Sequence, residues 1–324
     1  MKKILDFVSK YAIYFILLAL IVFFSLSSPF FLSFENGINI IRQVAIFGIC
    51  AVGMTFVILI GGIDLSTGSI LAVSAAVAAR LMVSGVHPVW ATTAALVLGV
   101  VFGLINGFFI CKLNLVPFIA TLGTMTALRG VAMELTEGRG VFGIARSFSV
   151  IGQGYVGHIP IPAIIMIITF ALGYMLLEMT KFGRYVYGIG DNEEAARLSG
   201  VNVKRIKYAV YAFSGFLSAL AGIVFLSRLM SAQPTAGQGY ELEIITAVVL
   251  GGISMKGGEG KISRVIIGVI ILGVLVNGMI MMNISPFYQF VVKGIVLLLA
   301  VSYDMVMLDR RNKIISASIA AKKN

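Results

Sequence analysis

Ten separate stretches of roughly 20 apolar residues run through this chain, and their repetition restricts its fold more than any other feature. A helix of about 20 apolar residues is long enough to cross a hydrocarbon core of about 30 Å. Only 12% of the residues are charged, against about 25% in a soluble domain. The sequence therefore predicts an all-α, polytopic membrane helix bundle of about ten transmembrane helices, a single transmembrane domain over residues 1–324. The stretches are 11–32, 38–60, 65–84, 88–111, 115–135, 160–180, 208–230, 242–256, 262–283 and 286–307.

Three of these stretches allow a second interpretation. The first follows a basic N-terminus, as in a signal peptide, but it is bulky and lacks a small-residue cleavage site, so we interpret it as a span. Stretch 65–84 is rich in Gly and Ser, and stretch 242–256 is short. Either of these two is compatible with a re-entrant segment.

Positive charge is distributed unevenly along the chain. The net charge is +11, and most of the 25 Lys and Arg residues fall on the tails and on the loops of one side of the predicted bundle. Because Lys and Arg near span ends resist translocation, we expect that side, with both termini, to face the cytoplasm. Membrane topology thus accounts for the charge, and nucleic-acid binding is not indicated.

Two Gly-Gly-Ile segments suggest an internal repeat. Residues 61–68 are similar to residues 251–258, and an Asn-Gly pair and then a Pro-Phe pair follow each segment. Transporters are often built from such repeats. The spacings differ between the two halves, so an ancestral duplication and a chance similarity in Gly-rich apolar sequence both remain open.

A single long charged stretch, residues 181–207, interrupts the apolar sequence, and we call it the cytoplasmic loop. It contains six basic and three acidic residues. Asp191 or Asn192 can cap a short helix that Gly200 ends, and two glutamates stand in the first turn, where the helix dipole favours acids. The loop is therefore either a solvated connector or a docking element for a soluble partner.

Two segments partly match nucleotide-binding motifs, but neither has the surrounding residues or structure that such a motif requires. Residues 138–143 fit GxGxxG, but they lie in an external loop with no strand before them. Residues 257–261 resemble a phosphate-binding loop, but Met255 stands where its first Gly belongs and Ile262 replaces its Ser or Thr. The two histidines and two cysteines form no recognisable catalytic or metal-ligating cluster. We therefore expect no enzyme activity, no cofactor and no metal site in this chain.

Four polar residues stand where they can line a transport path. Asp64 and Ser66 lie in the segment GGIDLSTGS between two spans, while Asn106 and Asn277 lie beside glycines within apolar runs. Polar side chains inside a membrane are costly and often mark substrate pathways. The alternative roles are structural, with Asp64 or Ser66 capping the next helix and the asparagines bonding across helices.

Two polar segments are expected on the outer side of the membrane. Residues 136–160, the outer connection, are the longest external link and end in a Pro-Ile-Pro turn. Residues 231–243, the outer segment, read SAQPTAGQGYELE and favour turns. Each is either a connector or a surface that receives a partner.

Several motifs together resemble the branched monosaccharide-type permeases of bacterial ABC importers. The sequence Glu-Ala-Ala at 194–196 followed by Gly200 fits the EAA-three-Gly pattern of the cytoplasmic loop of ABC importer permeases, although the later Leu-Pro of that pattern is missing. The resemblance extends over roughly residues 12–305. Its motifs are GGIDLSTGS at 61–69, PFIATLGTM at 117–125, GRYVYGIGDNEEAARLSGVNV at 183–203, SAQPTAGQGYELE at 231–243 and AVVLGGISMKGGEGKI at 247–262.

The resemblance implies a homodimeric, multi-pass subunit of the bacterial cytoplasmic (inner) membrane that works with a cytoplasmic ABC ATPase and a periplasmic or extracellular sugar-binding protein. The chain would form the path for a monosaccharide, with ribose favoured by similarity, while the partner hydrolyses ATP. The implied ATPase-coupling residues are Asp191, Asn192, Glu193, Glu194, Ala195, Ala196, Arg197 and Gly200. The implied contacts with the binding protein are Gln233, Pro234, Thr235 and Tyr240.

A self-sufficient secondary sugar transporter or channel is the main alternative. Asp64 would then be its ion-coupling group, and a gradient would drive uptake without ATP or partners. An integral-membrane enzyme is disfavoured, because the sequence offers no cluster of catalytic groups.

Overall fold

The structure is a computed structural model that describes residues 2–323, with side chains described from residue 13 to residue 306. The basic side chains of the two terminal tails lie outside that range. The predicted cytoplasmic orientation of the termini rests partly on them and stays a prediction.

The described chain is mostly helical, with thirteen α-helices, one short 3-10 helix and one two-stranded hairpin. The α-helices are α1 Lys2–Ser27, α2 Phe34–Leu59, α3 Thr67–Val83, α4 Pro88–Cys111, α5 Pro117–Thr136, α6 Ser149–Gln153, α7 Ile161–Met179, α8 Lys181–Asp191, α9 Glu193–Leu198, α10 Val203–Leu229, α11 Tyr240–Leu250, α12 Ile262–Met281 and α13 Pro286–Lys323. The 3-10 helix is Arg146–Phe148, and the strands are β1 Tyr155–Val156 and β2 Ile159–Pro160.

Every predicted apolar stretch overlaps one helix, but only six helices in the described range are both long and apolar enough to span a membrane. They are α2, α4, α7, α10, α12 and the Pro286–Val306 part of α13. Helix α11 has 11 residues, which at about 1.5 Å per residue reach only about half of the hydrocarbon core. Helix α5 is long enough, but it carries four threonines, an arginine and a glutamate. The expectation of about ten spanning helices is therefore not confirmed.

Helix α10 lies at the centre of the bundle, against α2, α3 and α4. Its contact with α4 is made along a stripe of glycines at intervals of four, Gly99, Gly103 and Gly107. A Cβ at Gly103 would overlap the carbonyl oxygen of Tyr211 on α10. Small residues at this spacing let two membrane helices approach backbone to backbone.

The two polar segments assigned to the outer side meet in the structure. Val141 of the outer connection and Ala232 of the outer segment form an isolated antiparallel bridge. The connection then folds back as the hairpin of β1 and β2, in which Tyr155 lies opposite Pro160. Both segments therefore form one surface at the same end of the bundle.

The suggested internal repeat is not confirmed. Helices α2 and α11 both lead into a Gly-Gly-Ile turn with a left-handed glycine, at Gly61 with φ 74° and at Gly252 with φ 84°. However, the asparagines that follow have unlike partners, since Asn106 bonds to residues of the first turn and Asn277 bonds to Asn36 of α2.

Candidate coupling site and transport path

A short helix stands in the middle of the cytoplasmic loop, close to where its sequence predicts one. Helix α9 begins after Asn192, whose side-chain oxygen accepts a hydrogen bond of 2.9 Å from the backbone N–H of Ala195. Asp191 instead ends α8, so Asn192 is the cap of the two candidates. After the helix, Gly200 adopts a left-handed φ of 85°, a conformation that glycine adopts without strain.

Helix α9 shows almost all of its surface to solvent. Ala196 is its one buried residue and packs onto the main hydrophobic core. Leu198 is 79% exposed. Sequence reasoning missed this leucine, although a large apolar side chain within an otherwise charged loop is itself a signal. An exposed leucine on a rigid helix is the kind of group that a partner protein buries.

The charged side chains of α9 pair within the chain. Glu194 and Arg197 form an ion pair of 2.6 Å, and Glu193 reaches Lys207 of α10 at 2.7 Å. Exposed pairs of this kind contribute about 0–1 kcal/mol. The Glu193–Lys207 pair joins α9 to α10 and helps to fix their relative orientation, whereas the Glu194–Arg197 pair lies within α9.

Three backbone segments meet tightly beside the cytoplasmic loop, in what we call the glycine junction: Leu59, Gly61, Gly190, Gly257 and Gly258. A Cβ at Gly190 of α8 would overlap the carbonyl oxygen of Leu59 at the end of α2. The same oxygen accepts a hydrogen bond of 2.9 Å from the N–H of Gly258. A Cβ at Gly257 would lie only 2.8 Å from the nitrogen of Gly61. Helix α8 therefore cannot move without displacing the end of α2 or the turn at 251–261.

A tyrosine of α8 adds a second link to that turn. The hydroxyl of Tyr187 lies 3.0 Å from the carbonyl oxygen of Gly260 and 3.2 Å from a carboxylate oxygen of Glu178. Burial and the neighbouring Glu178 carboxylate raise the pKa of Tyr187 above its ordinary value. The hydroxyl therefore keeps its proton at neutral pH, and this single proton is donated to one of the two acceptors at a time.

Three of the four candidate path residues lie together in a polar cluster, which we define as Asp64, Ser66, Asn106, Thr124 and Ser214; Thr124 is half-buried and the others are buried. One carboxylate oxygen of Asp64 accepts from the N–H and hydroxyl of Ser66 at 3.0 and 2.6 Å, and the other accepts from Ser214 at 2.9 Å. Asn106 donates to the Ser66 hydroxyl at 2.8 Å and accepts from Thr124 at 2.7 Å. The cluster joins the turn after α2 to α4, α5 and α10.

The burial of these residues helps to decide between a path-lining role and a structural role. Asp64, Ser66 and Asn106 are 0% exposed, so in this conformation they line no open passage. Asp64 accepts from the N–H of Ser66, the residue just before α3, and so forms an Asx turn at the entrance to that helix. Ser66 is the N-cap residue, but its side chain makes no capping hydrogen bond, so neither residue caps the first turn of α3 as predicted. Sequence reasoning did not find Ser214 and Thr124, since hydroxyl groups in apolar helices give little sign of a distant partner.

Asn277, the fourth candidate, lies apart from the cluster. Its amide pairs with the amide of Asn36 through two hydrogen bonds of 3.0 and 2.9 Å between α12 and α2. Both residues are buried. The structure thus shows the cross-helix bond that was the structural alternative for Asn277.

The outer segment is held firmly in place. Arg129 of α5 donates to the carbonyl oxygens of Ala236 at 2.7 Å and Pro234 at 3.4 Å. The ring of Tyr240 packs against Phe47, with ring centroids 4.4 Å apart. Of the four predicted contact residues only Thr235 is exposed, while Gln233, Pro234 and Tyr240 are half-buried.

Comparison with known families bears directly on these sites. A family described as "Branched-chain amino acid transport system / permease component" matches residues 36–301, which run from α2 into α13. The chain belongs to this permease family. The match confirms the resemblance inferred from the sequence motifs. Permeases of this kind are membrane-spanning transport subunits without an ATPase site, and a separate subunit hydrolyses ATP.

Curated relatives cover most of the chain. The ribose import permease protein RbsC of Bacillus subtilis is 50% identical over 290 residues, 89% of this chain and 90% of the relative. Its namesake in Escherichia coli strain K12 is 47% identical over 89% of this chain and 91% of its own length. The L-arabinose transport system permease protein AraH of the same strain is 40% identical over 85% of this chain and 84% of its own length. No solved structure matched the chain.

Proposed function

We propose that this chain is the membrane permease of an ATP-driven importer for a monosaccharide, with ribose as the substrate. The ribose import permeases that share about half of its residues support this substrate. The arabinose and allose permeases are less similar to this chain, at 40% and 37% identity, and therefore support their own sugars less strongly as substrates. A cytoplasmic ABC ATPase and an external sugar-binding protein complete the importer.

The geometry of α9 supports this function best. A subunit without an ATP site must receive mechanical work through contact, and a short rigid helix can transmit it. Helix α9 is capped, anchored by Ala196 and exposed along the rest of its surface. We infer that residues 191–200 dock into the ATPase, with Leu198 as the apolar anchor at the centre of the contact.

We further propose a homodimer with both termini in the cytoplasm, in which the outer segment meets the binding protein through Gln233, Pro234, Thr235 and Tyr240. The exposure of Thr235 and the rigidity of the segment support this contact. Asp64, Ser66 and Asn106 are candidates for the wall of the path once the polar cluster opens. Asn277 keeps a structural role through Asn36, on the evidence of their paired amides.

The substitution Leu198→Asp tests the docking role of α9. Moving a leucine from water into an interface contributes about 1.5–3 kcal/mol, so we expect the permease to lose affinity for its ATPase by about tenfold or more. Co-purification of the ATPase and ATP-driven ribose uptake in proteoliposomes are the measurements. Leu113→Asp is the matched control, because Leu113 is also exposed, at 52%, in the turn between α4 and α5.

Two outcomes would contradict the proposal. Normal ATPase binding and uptake by the Leu198→Asp protein would remove α9 from the interface. Gradient-driven uptake by the wild-type chain alone, without ATPase or binding protein, would instead support a secondary transporter or channel.

A further inference from the structure

The proposed function gives no role to a pocket that lies between α11, α12 and α13. Its volume is about 130 Å³, smaller than the roughly 300–1,000 Å³ of sites that enclose a ligand tightly. Most of its wall is apolar, but Glu243 of α11 and Lys293 of α13 line it together. Gly239 lines it as well, so the end of the outer segment forms part of the wall.

Glu243 and Lys293 form an ion pair beside a helix that is able to span the membrane. The ammonium nitrogen Nζ of Lys293 donates to the carboxylate oxygen Oε1 of Glu243 at 2.5 Å. Lys293 lies seven residues after the start of α13 at Pro286, which is about 10 Å along the helix axis. Charged groups at such a depth are costly, and they often mark the place where a substrate or ion passes.

The ion pair keeps free hydrogen-bonding groups. Its bond uses one of the three N–H donors of Lys293 and one of the two carboxylate oxygens of Glu243. Neither side chain makes another hydrogen bond within the described part of the chain. The side chains of Lys293 and Glu243 are 21% and 12% exposed, so neither is sealed inside the protein. The pocket therefore offers both donors and an acceptor to a solute that enters it.

An aromatic ring and a glycine complete the wall. Phe290 is exposed, and the centroid of its ring lies 5.6 Å from Nζ of Lys293. Gly294 borders open space, because a Cβ there would have no atom within 4 Å. Charged groups beside an aromatic face suit a sugar, whose hydroxyl groups can bond to the charges while its C–H groups pack on the ring.

We propose that Glu243, Lys293 and Phe290 form a subsite that contacts the monosaccharide on its way through the permease; this inference rests on the proposed importer function. A sugar that leaves water loses the hydrogen bonds of its hydroxyl groups, and the ion pair replaces some of them in an otherwise apolar pocket. The small volume suits brief contact with one edge of the sugar rather than tight binding. The acyl chain of a lipid fits less well, because it would leave the free donors and the acceptor without partners.

The first test replaces the ion pair with two unbranched apolar side chains, in a protein that carries both Glu243→Met and Lys293→Met. Poorly exposed ion pairs can often be exchanged for apolar residues without loss of stability, so this protein should fold and assemble. In proteoliposomes that also contain the ATPase and a ribose-binding protein, ribose uptake should fall about tenfold or more, because the sugar loses hydrogen bonds to charged groups. ATP hydrolysis stimulated by the ribose-loaded binding protein should change less than about twofold, since neither side chain lies in the coupling loop.

A second variant fills the pocket and leaves the ion pair in place. Gly294→Leu adds a side chain where the structure has open space, so the protein should fold normally. Ribose uptake should again fall about tenfold or more, because the leucine would collide with a sugar in the pocket. Gly37→Leu on α2 is the matched control: a Cβ there also has nothing within 4 Å, and Gly37 lies outside the pocket, so uptake should be normal.

Several results would overturn the inference. Normal uptake by the Gly294→Leu protein would mean that the sugar does not enter the pocket. Normal uptake by the Glu243→Met, Lys293→Met protein, with loss of uptake in Gly294→Leu, would identify an apolar occupant such as a lipid chain. Loss of stimulated ATP hydrolysis together with uptake would mean that the pair transmits the conformational change instead of contacting the sugar.

The wild-type complex separates this inference from the proposed function. A wild-type complex without ATP-driven ribose uptake would overturn both, whereas normal wild-type uptake with unchanged variants would overturn the inference alone.

Discussion

The glycine junction and the polar cluster both fix the chain where α2 ends, but they do so by opposite means. The junction brings backbone against backbone, and Gly190, Gly257 and Gly258 leave no room for a side chain. The cluster is made of side-chain hydrogen bonds around Asp64. Since Gly61 and Asp64 are three residues apart, the turn between α2 and α3 connects the two regions.

This difference suggests that the two regions have different roles in a conformational change. Backbone contacts without side chains cannot relax by a change of rotamer, so the junction transmits a displacement of α8 and α9 to the end of α2. Hydroxyl, amide and carboxylate groups can exchange hydrogen-bond partners, so the cluster can rearrange when that turn moves. We infer that the work of the ATPase passes from α9 through the junction to the polar cluster, and from there to α4, α5 and α10.

The most severe test of the comparison adds a side chain to the junction. Gly190→Val would drive two methyl groups against the carbonyl of Leu59, and we expect it to destabilise the permease by about 3 kcal/mol and to abolish ATP-driven ribose uptake. Unfolding in mixed detergent micelles and uptake in proteoliposomes are the measurements. Gly188→Ala on the same helix is the control: a Cβ there has nothing within 4 Å, so uptake should be normal.

Normal uptake by the Gly190→Val protein would show that the junction transmits nothing. Loss of uptake in a protein that still binds its ATPase would support transmission, because α9 itself would be intact.

The sequence predicts α9 well because its signals are local. Asn192, the two glutamates after it and Gly200 lie in one short segment, and each acts on the backbone beside it. The junction has no such signal. Gly188 and Gly190 look alike in sequence, yet only Gly190 faces the carbonyl of Leu59, which is far away along the chain.

The polar cluster and the span count were only partly predictable, for related reasons. Asp64, Ser66 and Asn106 stand out because polar residues are rare in apolar sequence, but hydroxyl groups are common there and often bond to their own helix. Ser218, for example, donates to the carbonyl oxygen of Ser214 four residues earlier. Hydropathy likewise shows that residues 242–256 are apolar but not that α11 ends at Leu250, before the Gly-Gly turn.

A smaller effect distinguishes hydrogen bonding from charge in the polar cluster. Asp64→Ala should destabilise the permease by about 2 kcal/mol, because it leaves the buried hydroxyls of Ser66 and Ser214 without their acceptor. Asp64→Asn keeps an acceptor for Ser66 and can donate to Ser214, so it should retain most stability and ATP-driven uptake. Uptake that is lost in Asp64→Asn although the protein folds normally would favour an ion-coupling role for the carboxylate.

The smallest expected effect comes from a variant that tests whether the charges of α9, as well as Leu198, contribute to binding of the ATPase. Glu193→Gln removes the ion pair with Lys207, in which the Glu193 side chain is 55% exposed and the Lys207 side chain 19%. The free energy of unfolding should fall by about 0.5 kcal/mol at low salt and by less at high salt. Affinity for the ATPase should change less than twofold, since Leu198 is the proposed anchor of the contact and a charge at its edge contributes little. A tenfold loss of that affinity, at unchanged stability, would instead make Glu193 a main contact of the ATPase. The coupling surface would then depend on charge as well as on Leu198.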